Sequence, residues 1–265
     1  MAFVTAHLMG GLGNQLFQIA TAYAYAKREH KSLVFRLTWP TRSDRPPLWN
    51  TYLDPSGWNI SLPGPSVRIS EKAFSFHELP SVDSEASVEL YGYFQSSEYF
   101  SAYAEEIRDR LQINPSLKSL FPIPNNCIGA HVRRGDYMNH AAYHYVCSPK
   151  YYTGSRDYID LEMPVFWITD DPEWVQENLY RPGDSVVSSD TIADFTRLSQ
   201  FKHLILSNSS FSWWAAWLNP CGFVERKICC PNKWFGPTGP KDVESIYEPG
   251  WSRIDTTSGK VDAQV

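Results

Sequence analysis

Apolar residues fall into two kinds of run along the chain. Residues 3–9, 33–37, 87–93, 127–132, 165–169, 203–207 and 227–230 are short apolar runs of strand length. Residues 16–28, 102–111, 172–180, 192–201 and 211–218 repeat their apolar positions at helical spacing. The two kinds alternate, which predicts an α/β protein with parallel sheets. Two places interrupt the alternation. Residues 38–66 hold six prolines and little periodicity, as expected of an extended connection or lid. At 121–126, Pro122 and Pro124 end a helical region just before a strong strand. The predicted domain boundary is there, giving halves of 1–122 and 123–265. The tail beyond Lys241 is polar.

The 265 residues, 43% hydrophobic, suffice for one large or two moderate domains at about 150 residues each. A net charge of -5 argues against a nucleic-acid partner. Aromatic content of 15%, with ten Trp, suits a protein that handles sugars, although any single ring can equally serve a core. Cys127, Cys147, Cys221, Cys229 and Cys230 are odd in number and form no C-x-x-C pair, which fits unpaired thiols in a reducing compartment. The first residues do not read as a signal peptide, and no run approaches about 20 apolar residues. A cytoplasmic protein without a membrane anchor is expected. The glycosylation sequons at Asn59 and Asn208 are read as chance matches.

Three loops at predicted strand ends carry candidate chemistry. The first contains Gly10, Gly11, Gly13, Asn14 and Gln15. Its glycines allow close backbone approach, and the following helix start offers N–H groups to an anion. It is not the dinucleotide fingerprint, because position 16 is Leu. Either a plain turn or a ligand loop fits, and the two amides favour the second.

The second runs from Ala130 to Tyr137. Strand alternation would put His131 and Arg133 on one face and Arg134 on the other, anchored to the core or to Asp136. Arg133 offers a planar fork that matches phosphate oxygens. A structural Arg–Asp pair with a satisfied His is the alternative.

The third runs from Leu206 to Trp214. Ser209, Ser210 and Ser212 could cap a helix or line a neutral phosphate cradle on its dipole. Trp213, Trp214 and Trp217 are assigned to the core. Between these loops Asp171 caps a helix that begins at Pro172, whereas Asp170 has no such duty and could accept hydrogen bonds from a guanine edge.

Together, residues 10–18 (GGLGNQLFQ), 131–137 (HVRRGDY), 207–218 (SNSSFSWWAAWL) and 230–235 (CPNKWF) resemble the four main blocks of the α-1,2-fucosyltransferase family, glycosyltransferase family 11, in family order. Residues 131–136 and 169–172 also resemble the wider fucosyltransferase superfamily, and 38–90 carries no family motif. Ile19 stands where the family often has Tyr, and a chain without the membrane anchor of animal members is expected.

The resemblance implies a GT-B-like fold, two Rossmann-type halves facing a cleft, with GDP-fucose held mainly by the C-terminal half and the acceptor on the N-terminal one. It implies transfer of L-fucose, with inversion, from GDP-β-L-fucose to the 2-OH of a galactose on a glycan acceptor. His131 and Asp170 would contact guanine, Arg133 the pyrophosphate, and Gly13, Asn14 and Gln15 the fucose side. Gly11, Asn208, Ser209, Ser210, Phe211 and Ser212 complete the donor-binding candidates, and Arg133, Asp136 and His131 are the catalytic ones. Asp136 is the first candidate for the base, unless pairing with Arg134 makes it structural. No metal or other cofactor is expected, since Asp-x-Asp is absent and His140 and His144 lack the H-E-x-x-H form. Fucosyl transfer to another sugar position or to a protein hydroxyl, and a non-catalytic GDP-sugar or glycan binder, stay open.

Overall fold

The structure is a computed structural model that describes residues 2–35, 64–160, 162–219 and 225–264. Most of the proline-rich 38–66 connection, Asn59 and Cys221 lie outside them. The chain divides into two compact units, Met1–Asn114 with Asp242–Ile246, and Pro115–Lys241 with Tyr247–Val265.

The first unit holds a four-stranded sheet of β1 (Phe3–Ala6), β2 (Ser32–Leu33), β3 (Val67–Ser70) and β4 (Val88–Tyr91), ordered β2-β1-β4-β3. All its pairings are parallel. Helix α1 (Leu12–Arg28) joins β1 to β2 and buries Leu16, Phe17, Ile19 and Ala20 completely. It starts earlier than the apolar pattern from 16 suggests, because Gly11 in extended conformation caps it. Helix α2 (Ala104–Arg110) follows β4. The segment Asp242–Ile246 joins this unit through Ser75 Oγ donating to Asp242 (2.9 Å) and Phe76 N donating to Ser245 Oγ (3.0 Å).

The second unit begins at Pro115, before the proline pair, and the boundary expected near 122 shifts accordingly. The physical reason is α3 (Pro115–Leu120), whose end is tied into this unit. Gln200 Nε2 donates to Phe121 O (3.0 Å), and the Arg197 guanidinium lies 5.1 Å from the Phe121 ring centre. Its sheet contains β5 (Ile128–Val132), β6 (Val165–Thr169), β7 (Ser185–Val187), β8 (His203–Ile205), β9 (Ile228–Pro231), β10 (Ser252–Ile254) and β11 (Val261–Gln264). Read from one edge, the order is β7-β6-β5-β8-β9-β10-β11, parallel throughout except for β11. β5 and β6 are buried along their whole length, as a sheet covered on both faces requires.

Helix α4 (Gly135–Asn139) follows β5, and α5 (Pro149–Asp160) covers the sheet. The apolar pattern does not show α5, because its buried face is made of Tyr151, Tyr152, Ser155, Arg156 and Ile159, mostly polar or amphipathic residues. The Tyr151 hydroxyl donates to Leu206 O, fastening this helix beneath the 206–209 loop. Helices α6 (Pro172–Asn178), α7 (Thr191–Leu198) and α8 (Ser210–Trp217) complete the layers. Trp213, Trp214 and Trp217 pack among one another in the interior, at most 5% exposed, as their spacing predicted.

Candidate active site

The strand order places a topological switch between β5 and β8. From β5 the chain winds outward through β6 and β7, and then returns to the other side of β5 as β8. In open parallel sheets the loops beyond the carboxyl ends part at such a point and leave a crevice for ligands. Here β5 leads into Arg133 and Arg134, and β8 leads into Leu206–Ser209 and the start of α8.

His131 spans the switch. Its Nδ1 lies 2.7 Å from Ser207 Oγ, and its ring centre is 5.0 Å from that of Phe211. Burial, reinforced by the neighbouring Arg133 charge, pushes its pKa from 6.5 down to about 3. The imidazole is therefore neutral at ordinary pH, a hydrogen-bonding bridge and not a cation. The consequence for stability has a definite sign. The unfolded chain gains this proton near pH 6.5, whereas the folded chain gains it only near 3. His131 thus leaves stability undiminished above about pH 6.5 and erodes it as pH falls toward 3, by at most about 1.4 kcal/mol per pH unit. Melting temperature should fall between pH 7 and 5, and less steeply in His131→Asn. Equal slopes for the two proteins would clear His131 of the effect.

Arg133 sits between two carboxylates. Nη2 is 2.6 Å from Asp136 Oδ1, and Nη1 is 2.7 Å from Asp170 Oδ2. Of the two anchors open to Arg134 in the sequence, the core or Asp136, the pairing with Asp136 is not formed. Arg134 instead pairs with Asp171 Oδ2 (3.0 Å) and stacks on Trp174, 3.9 Å from its ring centre. The strand stops at Val132, so side-chain alternation does not reach these two residues. The carboxylates of 170 and 171 separate them. Asp171 is the expected cap, accepting from Trp174 N (3.2 Å).

Asp170 does have a structural duty: Oδ1 accepts from Arg134 N (2.8 Å), and Oδ2 holds Arg133. That carboxylate also explains Gly135, where a Cβ would lie 2.8 Å from Asp170 Oδ2.

The serine turn is more inward than the sequence suggests. Ser209 caps α8, its Oγ accepting from Phe211 N (3.3 Å). Ser212 is fully buried and donates within the turn, 3.1 Å from Ser207 O and 3.2 Å from Ser209 O. The Asn208 amide is buried too, donating to Tyr145 O (2.8 Å) and Trp234 O (2.7 Å). No glycan could be attached to that nitrogen in the folded protein. These side chains shape the turn; Ser210 lies partly exposed at the first position of α8.

In the first unit, Gly10 has a φ of +77°, and a Cβ there would lie 2.4 Å from Asn14 Nδ2. Gly11 is the helix cap, and Gly13 lies within the first turn of α1. Gln15 Nε2 donates to Gly10 O (3.0 Å). Two residues the sequence reading did not single out fix this loop. Gln18 clamps Met9 through Oε1 (2.9 Å) and Nε2 (3.3 Å), and Gln95 Nε2 donates to Asn14 Oδ1 (2.7 Å). The position of Gln95 just beyond the predicted strand at 87–93 was the available signal. The candidates thus form two groups: His131, Arg133, Asp136, Asp170 and residues 208–212 in the second unit, and Gly11, Gly13, Asn14 and Gln15 in the first. Among the described residues, no three His, Cys, Asp or Glu side chains are grouped to hold a metal ion.

The pattern for glycosyl transferase family 11 matches residues 68–255. An alpha-1,2-colitosyltransferase of Escherichia coli is 28% identical, across 88% of this chain and 98% of that protein. Galactoside alpha-(1,2)-fucosyltransferase 2 of Pongo pygmaeus is 29% identical, across 81% of this chain and 68% of that one. Among solved structures, the fucosyltransferase NodZ from Bradyrhizobium superposes with a TM-score of 0.53 at 17% identity, covering 81% of this chain and 91% of NodZ. That likeness carries the fold: α/β and GT-B-like, with two Rossmann-type halves.

Proposed function

The chain belongs to glycosyl transferase family 11, and on that premise we propose that it transfers L-fucose from GDP-β-L-fucose to the 2-OH of a terminal galactose on a glycan, with inversion. The observation that carries the reading is Arg133 at the switch point, oriented by Asp136 and Asp170 and neighbouring His131, whose bridge to Ser207 ties this loop to the one that leads into α8. Cleavage of the bond from fucose C1 to phosphate oxygen leaves negative charge on GDP and an oxocarbenium-like sugar. An arginine fork and a helix N-terminus are the groups that stabilise such a leaving group. Asp136 is the more exposed of the two carboxylates, 46% against 26% for Asp170. It is therefore the one the pyrophosphate displaces from Arg133. Asp136 then receives the acceptor proton as the acceptor oxygen bonds to C1 and the electron pair departs with GDP. The α-1,2 linkage in the names of both relatives supports the same linkage here.

Release of GDP over a panel of donors and acceptors tests this. GDP-fucose with lactose should give GDP and an α-1,2-fucosylated product identified by NMR. Turnover only with GDP-colitose would move the donor to the other sugar its relatives' names contain. Turnover only with a polypeptide would make it a protein-directed enzyme, and tight GDP binding without turnover would make it a binder.

Metal independence belongs to the same proposal, because Arg133 takes the place of the cation that Asp-x-Asp would hold. Turnover should persist in EDTA, and its loss there, with recovery on adding manganese or magnesium, would overturn that role for Arg133. No helix among the described residues is long and apolar enough to cross a membrane, and Cys127, Cys147, Cys229 and Cys230 are free thiols. The cytoplasm is the proposed setting.

A further inference from the structure

Next to the Arg133 loop, the stretch from His140 to Tyr145 is zipped to the stretch from Lys233 to Gly239. Gly236 N donates to Tyr143 O (2.7 Å), and Thr238 donates to Ala142 O through N (2.8 Å) and Oγ1 (2.7 Å). The approach is close enough to demand glycine. A Cβ on Gly236 would lie 2.5 Å from Ala141 O, and one on Gly239 would lie 3.0 Å from Tyr143 O.

The zipper holds up a row of rings. Tyr143 meets Phe235 edge-on with centres 5.3 Å apart, and meets His144 at 4.9 Å. His144 stacks flat on Tyr137 at 4.2 Å and 7°, and the Arg133 guanidinium lies 5.6 Å from the centre of that same Tyr137 ring. The row is thus continuous with the candidate donor site.

Core packing does not account for its outer end. Tyr143 is 45% exposed, whereas Tyr151, Tyr152, Trp213 and Trp214 are essentially inaccessible. The ring nitrogens of His144 accept or donate no hydrogen bond among the described residues, and burial lowers its pKa, which favours the neutral imidazole. A rigid exposed ring next to a neutral hydrogen-bonding heterocycle is what a pyranose needs, since a sugar presents an apolar C–H face edged by hydroxyls.

We propose that Tyr143, His144 and Phe235 form a subsite for a hexose of the acceptor, its C–H face on the Tyr143 ring and one hydroxyl donating to His144. The subsite rests on the glycosyl-transfer reading and deepens it by naming where the acceptor sugar binds. Tyr143→Ala removes the ring, and Tyr143→Phe keeps it. With saturating GDP-fucose, Tyr143→Ala should raise the KM for lactose about tenfold, the equivalent of one ring-stacking contact, and Tyr143→Phe should stay close to the parent. Affinity for GDP, measured by calorimetry, should not change in either. An unchanged lactose KM in Tyr143→Ala overturns the subsite. So does a matching loss of GDP affinity, which would assign the rings to the nucleotide. If the parent protein shows no turnover, the transfer reading fails by itself, and lactose is titrated into the GDP-loaded proteins. Weaker lactose binding by Tyr143→Ala than by the parent upholds the subsite, and equal or undetectable binding by both overturns it.

Discussion

Replacing Arg133 by lysine is expected to reduce turnover by roughly 10²–10³, the usual effect of losing one preorganised donor at developing charge, while the protein stays folded. Lysine retains the charge but not the planar fork, so it cannot hold two phosphate oxygens in parallel. Arg133 is partly exposed, and both of its carboxylate partners reach solvent, so the substitution strands no charge in the interior. Arg134→Lys should behave differently. It loses the Nε contact to Asp171 and the guanidinium contact over the Trp174 ring, which together fasten the start of α6 to the end of β5. Its melting temperature should fall, with turnover reduced only as far as the folded fraction is. Both quantities measured on both variants decide the matter. Near-normal turnover in Arg133→Lys, alongside a stable but inactive Arg134→Lys, would reverse the two roles.

The largest effect on stability is expected at Asp184, well away from the candidate site. Its Oδ2 accepts from Arg156 Nη1, Trp167 Nε1 and Arg181 N, each at 3.0 Å, and its Oδ1 accepts from Val165 N at 2.9 Å. Both charged side chains are buried, with Arg156 at 5% and Asp184 at 0% side-chain exposure. One carboxylate therefore ties α5, the first residue and the middle of β6, and the turn before β7. Such a pair adds less net stability than its contact list suggests, because both ions give up their hydration. Removing one partner is another matter, since it leaves the other charge buried without compensation at a cost of about 3–5 kcal/mol. Asp184→Ala should lose that much in denaturant unfolding, and Asp184→Asn, which keeps some of the hydrogen bonds, should lose less. An Asp184→Ala variant within about 1 kcal/mol of the parent would mean that water reaches and solvates Arg156.

Much of this molecule can be read from local pattern. The central strands at 127–132 and 165–169, the Asp171–Pro172 helix start and the burial of the tryptophan helix all follow from apolar runs, caps and spacing, which act over a few residues. The site blocks at Arg133 and Ser207–Ser212 were legible for the same reason, since a loop at a strand's carboxyl end combines glycine, arginine and hydroxyl residues in a short stretch. What the sequence could not assign were partners. From the sequence, Asp170 has no structural duty, and Arg134 can anchor either to the core or to Asp136. The actual pairing depends on β6 lying in register beside β5, which brings residues about 36 positions apart within 3 Å. Helix α5 does not show in the apolar pattern because its buried face is largely tyrosine, serine and arginine, and burial of the Tyr151 hydroxyl and the Arg156 guanidinium becomes favourable only once Leu206 O and Asp184 are there to receive them. The strand order that creates the switch between β5 and β8, and the zipper that sets Tyr143 against Phe235 and His144, likewise belong to long-range pairing. Local propensity selects elements and loop chemistry, and only tertiary packing determines which charge meets which.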